Sequence, residues 1–166
     1  MRASPEEYFR NQGLTPMNWE EVLKAVEARL APAELPNFQR LHRSFTGYPV
    51  EPTCRAFYDF SAAHGLSDLL ASFRFERLCR ISACMFGLVL GGKKIFDIGA
   101  GGGYLAGYLQ AELGADVSVT DWSAESRKFL KKAGFTTYEN EFDADLSGKH
   151  FDFILCADSL GEVNAD

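Results

Sequence analysis

The stretch FDIGAGGGY (residues 96–104) decides the fold of this chain. It overlaps a run of β-branched and aromatic residues, 94–98, that predicts a short strand. Gly99, Gly101 and Gly103 follow in alternation, and glycine permits turn conformations and a close ligand approach that side chains would prevent. A helix after the last glycine would point its unpaired N–H groups at the same ligand. The stretch therefore predicts a strand–turn–helix unit with a binding site at the turn.

Strands and helices alternate through the chain after this turn. The predicted helices cover residues 104–113 and 123–133, and the predicted strands cover 116–121, 136–138 and 151–156. Strands that alternate with helices of about ten residues are typical of βαβ units and a parallel sheet. We therefore expect an α/β fold with a mostly parallel sheet that is incomplete, at about four strands.

The chain before residue 93 predicts helices alone. Ser4 and Asn18 are each followed three residues later by Glu, which is a typical helix start. Residues 19–30 then place apolar side chains at helical spacing, and Pro32 and Pro36 are expected to end that helix. The bulk of these apolar residues is expected to pack in a core rather than to bind a ligand.

A proline-rich segment and a pair of glycines divide the predicted elements. Residues 48–52 are the best linker candidate. Further helices are expected at 53–64 and 67–90, the second buried on most sides, with Gly91 and Gly92 as its stop. The two predicted regions are a helical N-terminal cap or substrate region, 1–92, and a sheet region, 93–166.

The composition is that of an ordinary globular protein, with 46% hydrophobic and 24% charged residues among 166. The net charge of -6 argues against binding to a nucleic-acid backbone, because Lys and Arg must neutralise its phosphates. The four cysteines form no CxxC pair and no histidine clusters with them, so no metal site is expected. No secretory signal is visible, and the longest apolar stretch, 81–90, is too short to cross a bilayer. We therefore expect a cytoplasmic protein that binds neither nucleic acid nor a membrane.

Two acidic residues lie beside the glycine turn. Asp97 precedes the end of the first predicted strand, and Asp121 ends the second, where a carboxylate suits the two hydroxyls of a ribose. An adenosine-type ligand is therefore expected. Asp97 would repel a pyrophosphate but attract the positive sulfur and ammonium of S-adenosyl-L-methionine, so it favours that cofactor over NAD. Gly101, Gly103 and Ala106 nevertheless satisfy the alanine form of the dinucleotide pattern, which is a weak signal.

The segment from 93 to 163 resembles the class I, Rossmann-like, S-adenosylmethionine-dependent methyltransferases. The resemblance rests on four motifs in order: FDIGAGGGY (96–104), VSVTDWS (117–123), FDADL (142–146) and FDFILCADSLGEV (151–163). It implies that Asp121 binds the ribose, that Trp122 lies beside the adenine and that Asp143 accepts from the adenine amino group. The cofactor-binding residues that it implies are Asp97, Gly99, Ala100, Gly101, Gly103, Asp121, Trp122, Asp143 and Ala144.

The resemblance also implies transfer of a methyl group, by direct displacement, to an oxygen or nitrogen of a small-molecule acceptor. No catalytic residue is identified by the sequence. Asp158 and Glu162 follow the fourth predicted strand, where the family holds the transferred methyl, and Tyr58 and His64 belong to the helical region that would cap the pocket. These four are weak candidates for a general base or pocket residue, because helix capping or packing explains each of them as well.

The family's sheet has seven strands, whereas four are predicted here. The outer edge of the fourth strand would then be unpaired, which is an aggregation hazard. We therefore expect either a fragment of a longer enzyme or a covering chain, for example in a homo-oligomer. Two other interpretations stay open: an NAD-dependent oxidoreductase or epimerase, and a truncated, non-catalytic module that binds S-adenosyl-L-methionine.

Overall fold

A computed structural model describes residues 2–47, 51–139, 146 and 148–157. Within these residues the chain has eight helices and a four-stranded, all-parallel sheet, so the predicted α/β class and the helical N-terminal region are confirmed. The helices are α1 (Pro5–Asn11), α2 (Trp19–Arg29), α3 (Leu35–Gly47), α4 (Glu51–Ala63), α5 (Ser67–Phe73), α6 (Phe75–Phe86), α7 (Tyr104–Ala111) and α8 (Ala124–Lys132). The strands are β1 (Lys94–Ile98), β2 (Asp116–Thr120), β3 (Thr136–Thr137) and β4 (Phe153–Leu155).

The sheet has the strand order β3-β2-β1-β4, with β1 between two neighbours. Asp97 of β1 is paired with Val119 of β2 on one side and with Leu155 of β4 on the other. All strands run the same way, so their carboxyl ends meet at one edge of the sheet, which is where ligands bind in open α/β folds. The glycine turn after Ile98 therefore lies at the binding edge.

The predicted helix starts are confirmed by their caps. The Ser4 hydroxyl accepts a hydrogen bond from the Glu7 N–H at 3.2 Å. Asn18 and Glu21 form a reciprocal capping box, in which each side chain accepts from the other's backbone N–H. Such caps satisfy N–H groups that the first helical turn leaves without partners.

The prediction of one long helix over residues 67–90 is wrong. Two helices, α5 and α6, meet at Arg74, whose φ of -94° and ψ of 12° interrupt the helical conformation. The break turns Phe75 into the core at 3% exposure, while Phe73 stays 47% exposed. Most side chains of α6 are partly or fully exposed, so the expectation of burial on most sides is also wrong. The packing of Phe75 against Phe9, with ring centroids 6.4 Å apart, outweighs the helical periodicity.

Only one of the two prolines behaves as predicted. Helix α2 ends at Arg29, shortly before Pro32, as expected, whereas Pro36 is the second residue of α3. Proline is tolerated there because the first turn of a helix needs no donor from that residue. Of the predicted linker, residues 51 and 52 belong to α4, and residues 48–50 lie outside the described residues.

Two hydrophobic clusters hold these elements together. The larger joins Phe9 and Phe75 from the helical region to Ile95 of β1 and Leu109 of α7. It therefore crosses the predicted boundary at residue 92, which stays a prediction. The smaller is wholly helical and packs α2 to α5 around Phe38. No helix within the described residues is both long and apolar enough to cross a membrane.

Candidate functional site

A pocket opens between the glycine turn and helices α4 to α6. Its cavity volume is about 120 Å³. One side, which we call the glycine-loop wall, consists of Asp97, Gly99, Ala100, Gly101, Gly102, Tyr104 and Leu105. The other, the helical wall, consists of Tyr58, Ser61, Ser67, Leu70, Ala71, Arg74, Arg77, Leu78 and Ile81. Ser126 and Ala157 complete the lining.

The three alternating glycines adopt the left-handed conformation, with φ of 75° at Gly99, 54° at Gly101 and 74° at Gly103. Their environments differ. A Cβ atom at Gly101 would meet no atom within 4 Å, whereas one at Gly103 would lie 2.9 Å from side-chain atoms of Leu130 and Phe135. Gly101 therefore faces the pocket, while Gly103 allows α7 to pack closely on α8 and does not line the pocket.

Asp121 fastens the glycine turn to β2. Its Oδ2 accepts from the Gly101 N–H at 2.8 Å, and its Oδ1 accepts from the Ser123 N–H at 2.9 Å. Only 4% of the residue is exposed, and burial raises its pKa in spite of these two bonds. The structure thus gives Asp121 a role in holding the loop. The predicted ribose contact stays a prediction, since Asp121 does not line the pocket.

Asp97 is also a buried acid, but its contacts differ from those of Asp121. Its side chain lines the pocket and is 3% exposed, and within the described residues no donor is bonded to its carboxyl group. Burial, with a smaller contribution from the charge of Asp121, raises the pKa of Asp97 to about 7. A buried carboxyl without a partner costs stability. A cationic ligand or hydrogen-bond donor in the pocket would relieve that cost.

The polar groups of the helical wall include Ser61, Arg74 and Tyr58. Ser61 is 1% exposed, and its Oγ has no hydrogen-bond partner within the described residues. Arg74 donates from Nη2 to the Tyr58 hydroxyl at 2.7 Å, and its guanidinium carbon lies 5.8 Å from the centre of the Tyr58 ring. Tyr58, a weak catalytic candidate, thus lies in the pocket, where it orients an arginine.

Helix α4 is tied to the sheet edge beside the pocket. The Ser123 hydroxyl donates to Asp59 Oδ1 at 2.6 Å and accepts from the Ser126 N–H at 3.1 Å, which caps α8. Trp122 is buried next to this link, with its ring centroid 6.3 Å from that of Tyr58. Trp122 does not line the pocket, so its predicted place beside an adenine stays a prediction.

His64 is not brought to the pocket. His64 lies with Nδ1 2.8 Å from the Phe60 carbonyl oxygen and Nε2 2.9 Å from Glu34 Oε1, away from the pocket lining. Both ring nitrogens face acceptors, which is the environment of a structural histidine. The other predicted residues, Asp143, Ala144, Asp158 and Glu162, lie outside the described residues.

A signal for Ser61 was present in the sequence. Cys54, Phe57 and Ser61 recur at spacings of three and four, and all three are buried on one face of α4. A hydroxyl on an otherwise apolar helix stripe is a candidate for a specific contact, because burying it without a partner is costly. Arg74 lies at the break between α5 and α6, which the sequence did not predict.

The pocket combines charged and apolar groups. The glycine-loop wall includes the Asp97 carboxyl, the helical wall includes two guanidinium groups, and Leu70, Leu78, Ile81 and Leu105 supply apolar contact. Across the described residues, no three His, Cys, Asp or Glu side chains stand together as a metal site.

Comparison with protein-family models and with curated proteins finds no match. No protein-family model matches the chain, and no curated protein matches it at the level of significance required. The function must therefore be argued from the pocket itself.

Proposed function

We propose that the chain binds S-adenosyl-L-methionine in this pocket and belongs to an enzyme that methylates a small-molecule acceptor. The observation that carries the proposal is the carboxyl group of Asp97, buried at the binding edge of the sheet and directed into the pocket with no described partner. The cofactor's amino-acid end carries an ammonium next to a sulfonium. A carboxylate is the group that both positive charges favour, and it would repel a pyrophosphate.

The backbone supports the same class of ligand. The strand order β3-β2-β1-β4 is that of the first half of a Rossmann-like sheet, with the glycine turn after β1. At Gly101 a side chain would stand in the space that a ligand needs, because its Cβ position is open to the pocket. These features support the Rossmann-like assignment and the adenosine-type ligand that the motifs predict.

The chain's own groups would bind and orient the cofactor. Asp97 would hold the positively charged end, and Gly99 to Gly101 would let the ligand approach the main chain. Asp121 would keep the loop in place through its bonds to Gly101 and Ser123. When bound, the cofactor supplies an activated methyl group, and the protein's contribution is the alignment of the acceptor with it. The apolar residues of the helical wall would exclude water beside the acceptor.

Titration calorimetry of the 166-residue chain at pH 8 tests the proposal, with S-adenosylhomocysteine and NAD as parallel ligands. We expect micromolar binding of S-adenosylhomocysteine and no binding of NAD. Binding of NAD alone would support the oxidoreductase or epimerase interpretation instead. If monodisperse, folded protein bound neither ligand, the proposed cofactor site would be refuted for this chain.

A further inference from the structure

The hydroxyl group of Ser61 is buried in the lining of the pocket without a described partner. The residue is 1% exposed, and its Oγ has no hydrogen-bond partner within the described residues. Most buried hydroxyl groups bond to protein or to ordered water, because a buried polar group without a partner destabilises the folded state. Since Ser61 lines the pocket, a ligand bound there would supply such a partner.

Three other buried side chains also carry a polar atom without a partner in the described part of the chain. They are Trp19, Ser82 and Tyr108, and none of the three lines the pocket. Ser82 is the best comparison with Ser61, because it is a fully buried serine on helix α6. It therefore separates the effect of removing a buried hydroxyl from the effect of removing one that lines the pocket.

Helix α4, which carries Ser61, is fixed against the segment that follows strand β2. In that segment the Ser123 hydroxyl donates to Asp59 Oδ1 at 2.6 Å, and the ring centroid of Trp122 lies 6.3 Å from that of Tyr58. Tyr58 and Ser61 are three residues apart, so they share a face of the helix, and both line the pocket. These contacts place Ser61 at the β2 side of the pocket.

In the proposed function, the nucleoside is the part of the cofactor that lies at the β2 side. Asp97 on β1 would hold the amino-acid end, and in this class of sheet the ribose lies at the end of the second strand. The Asp121 carboxyl at that place bonds to the loop and does not line the pocket, whereas Ser61 lines it. A nucleoside offers ribose hydroxyls and adenine nitrogens, and a serine hydroxyl both donates and accepts. Ser61 is therefore suited to bind this part of the ligand.

We propose that the Ser61 hydroxyl forms a hydrogen bond with the nucleoside part of the bound cofactor. The N-terminal helical region would then contribute directly to the cofactor site, in addition to covering the acceptor. This inference rests on the proposed function, because that function supplies the nucleoside. It adds a binding residue that lies outside all four of the sequence motifs.

Titration calorimetry of the wild-type chain, Ser61→Ala and Ser82→Ala tests the proposal. The ligands are S-adenosylhomocysteine and 5′-deoxy-5′-methylthioadenosine, which keeps the nucleoside and the sulfur but lacks the amino-acid end. We expect Ser61→Ala to weaken both ligands by about fivefold or more, because each loses the same hydrogen bond. Ser82→Ala should leave both within about twofold of wild type. Circular dichroism and thermal unfolding check that each variant is folded.

Ser61→Cys provides a second variant, which keeps the shape of the side chain but replaces the hydroxyl with a weak thiol donor. We expect it to weaken both ligands as Ser61→Ala does, and it decides the test if Ser61→Ala does not fold. Wild-type affinity in Ser61→Cys would show that the volume of the side chain, rather than its hydrogen bond, matters to binding, and would overturn the proposal.

The 2′-deoxy and 3′-deoxy analogues of methylthioadenosine identify the atom that Ser61 contacts. If a ribose hydroxyl is the partner, the analogue that lacks it binds equally to wild type and to Ser61→Ala. If both analogues still bind Ser61→Ala more weakly than wild type, a nitrogen of the adenine is the partner.

Two further results would overturn the proposal while leaving the proposed function intact. In the first, the wild-type chain binds both adenosine compounds, but Ser61→Ala leaves methylthioadenosine within about twofold of wild type. In the second, Ser82→Ala weakens both ligands as much as Ser61→Ala does. Failure of the proposed function gives a different result, in which the wild-type chain itself binds neither compound, and the contact with Ser61 is then refuted with it.

Discussion

The two walls of the pocket are built on different principles. The glycine-loop wall includes main chain in the left-handed conformation at Gly99 and Gly101. Its N–H groups at Gly99, Ala100 and Gly101 donate to Thr120 and Asp121 of the neighbouring strand region. The helical wall is made of side chains on regular helices, and it includes a buried hydroxyl, that of Ser61, with no described partner. In the first wall three N–H groups are hydrogen-bonded and the Asp97 carboxyl has no described partner, and in the second wall the Ser61 hydroxyl has none.

This difference separates residues that hold the pocket from residues that are available to a ligand. Asp97 and Asp121 are both almost fully buried at the same edge of the sheet. Asp121 accepts two backbone hydrogen bonds, whereas Asp97 accepts none from the described residues. Burial alone therefore does not distinguish the two acids, whereas their hydrogen bonds do. The following variants test the distinction, from the largest expected effect to the smallest.

Asp97→Asn is expected to stabilise the protein. Burial raises the pKa of Asp97 to about 7 from the ordinary 3.8, so between these values the folded state keeps a proton that the unfolded carboxyl has lost. Stability therefore falls as the pH rises through this window. The amide removes this penalty, and we expect the free energy of unfolding to rise by up to about 4 kcal/mol at pH 8.

Urea unfolding at a series of pH values measures this effect. The gain from Asp97→Asn should shrink as the pH falls from 7 towards 4, because the wild-type carboxyl is then neutral in the folded state. Asp116→Asn, at an exposed carboxylate on β2, is the matched control and should show little gain at any pH. A variant that is less stable than wild type at pH 8 would show that Asp97 has a stabilising partner.

Gly103→Ala is expected to destabilise the protein by about 3 kcal/mol, from left-handed strain together with overpacking against Leu130 and Phe135. Gly101→Ala introduces the same backbone strain but no steric clash, so we expect it to lower the free energy of unfolding by about 1 kcal/mol. Its effect should instead appear as weaker binding of S-adenosylhomocysteine, since the new methyl group enters the pocket. Thermal unfolding and calorimetry together measure the pair. Equal loss of stability in both variants would contradict the assignment of Gly103 to packing and Gly101 to the pocket.

Asp121→Ala is expected to lower the free energy of unfolding by about 2 kcal/mol. It leaves the N–H groups of Gly101 and Ser123 without their acceptor. Because the loop carries the binding site, S-adenosylhomocysteine should also bind more than tenfold more weakly. Urea unfolding is the decisive measurement. Unchanged stability would show that the two bonds do not hold the loop and that Asp121 is available for a ribose.

Ser61→Ala is expected to have the smallest effect on stability, within about 1 kcal/mol of wild type, because the hydroxyl that it removes has no described partner. Ser82→Ala is a closely matched control. The Oγ of Ser82 is also buried without a described partner, but Ser82 does not line the pocket. Thermal unfolding should show little change in either variant, while ligand affinity should fall only for Ser61→Ala. A clear loss of stability in Ser61→Ala alone would show that the hydroxyl has a structural role.

The glycine-loop wall could be predicted from the sequence, whereas the helical wall could be predicted only in part, through Tyr58. Strand β1 and the turn at Gly99 can be predicted from the local preferences of β-branched residues and glycine, because these preferences depend only on neighbouring residues in the sequence. The break at Arg74 is caused by the burial of Phe75 against Phe9, a contact between residues far apart in the chain. The position of His64 outside the pocket likewise depends on its contact with Glu34, a residue far from it in the sequence. The groups that a side chain contacts depend on the tertiary structure. The sequence alone therefore could not show that Asp121 accepts two hydrogen bonds while Asp97 accepts none from the described residues.

The most direct test compares the binding of S-adenosylhomocysteine to wild-type protein and to Asp97→Asn at pH 8 and pH 6. The ammonium of this ligand should be attracted by ionised Asp97, so we expect wild-type affinity to be at least tenfold higher at pH 8 than that of the variant. Protonation of Asp97 below its pKa of about 7 should narrow this difference at pH 6. Equal affinities of the two proteins at pH 8 would contradict the conclusion that Asp97 is the acid that binds the cofactor.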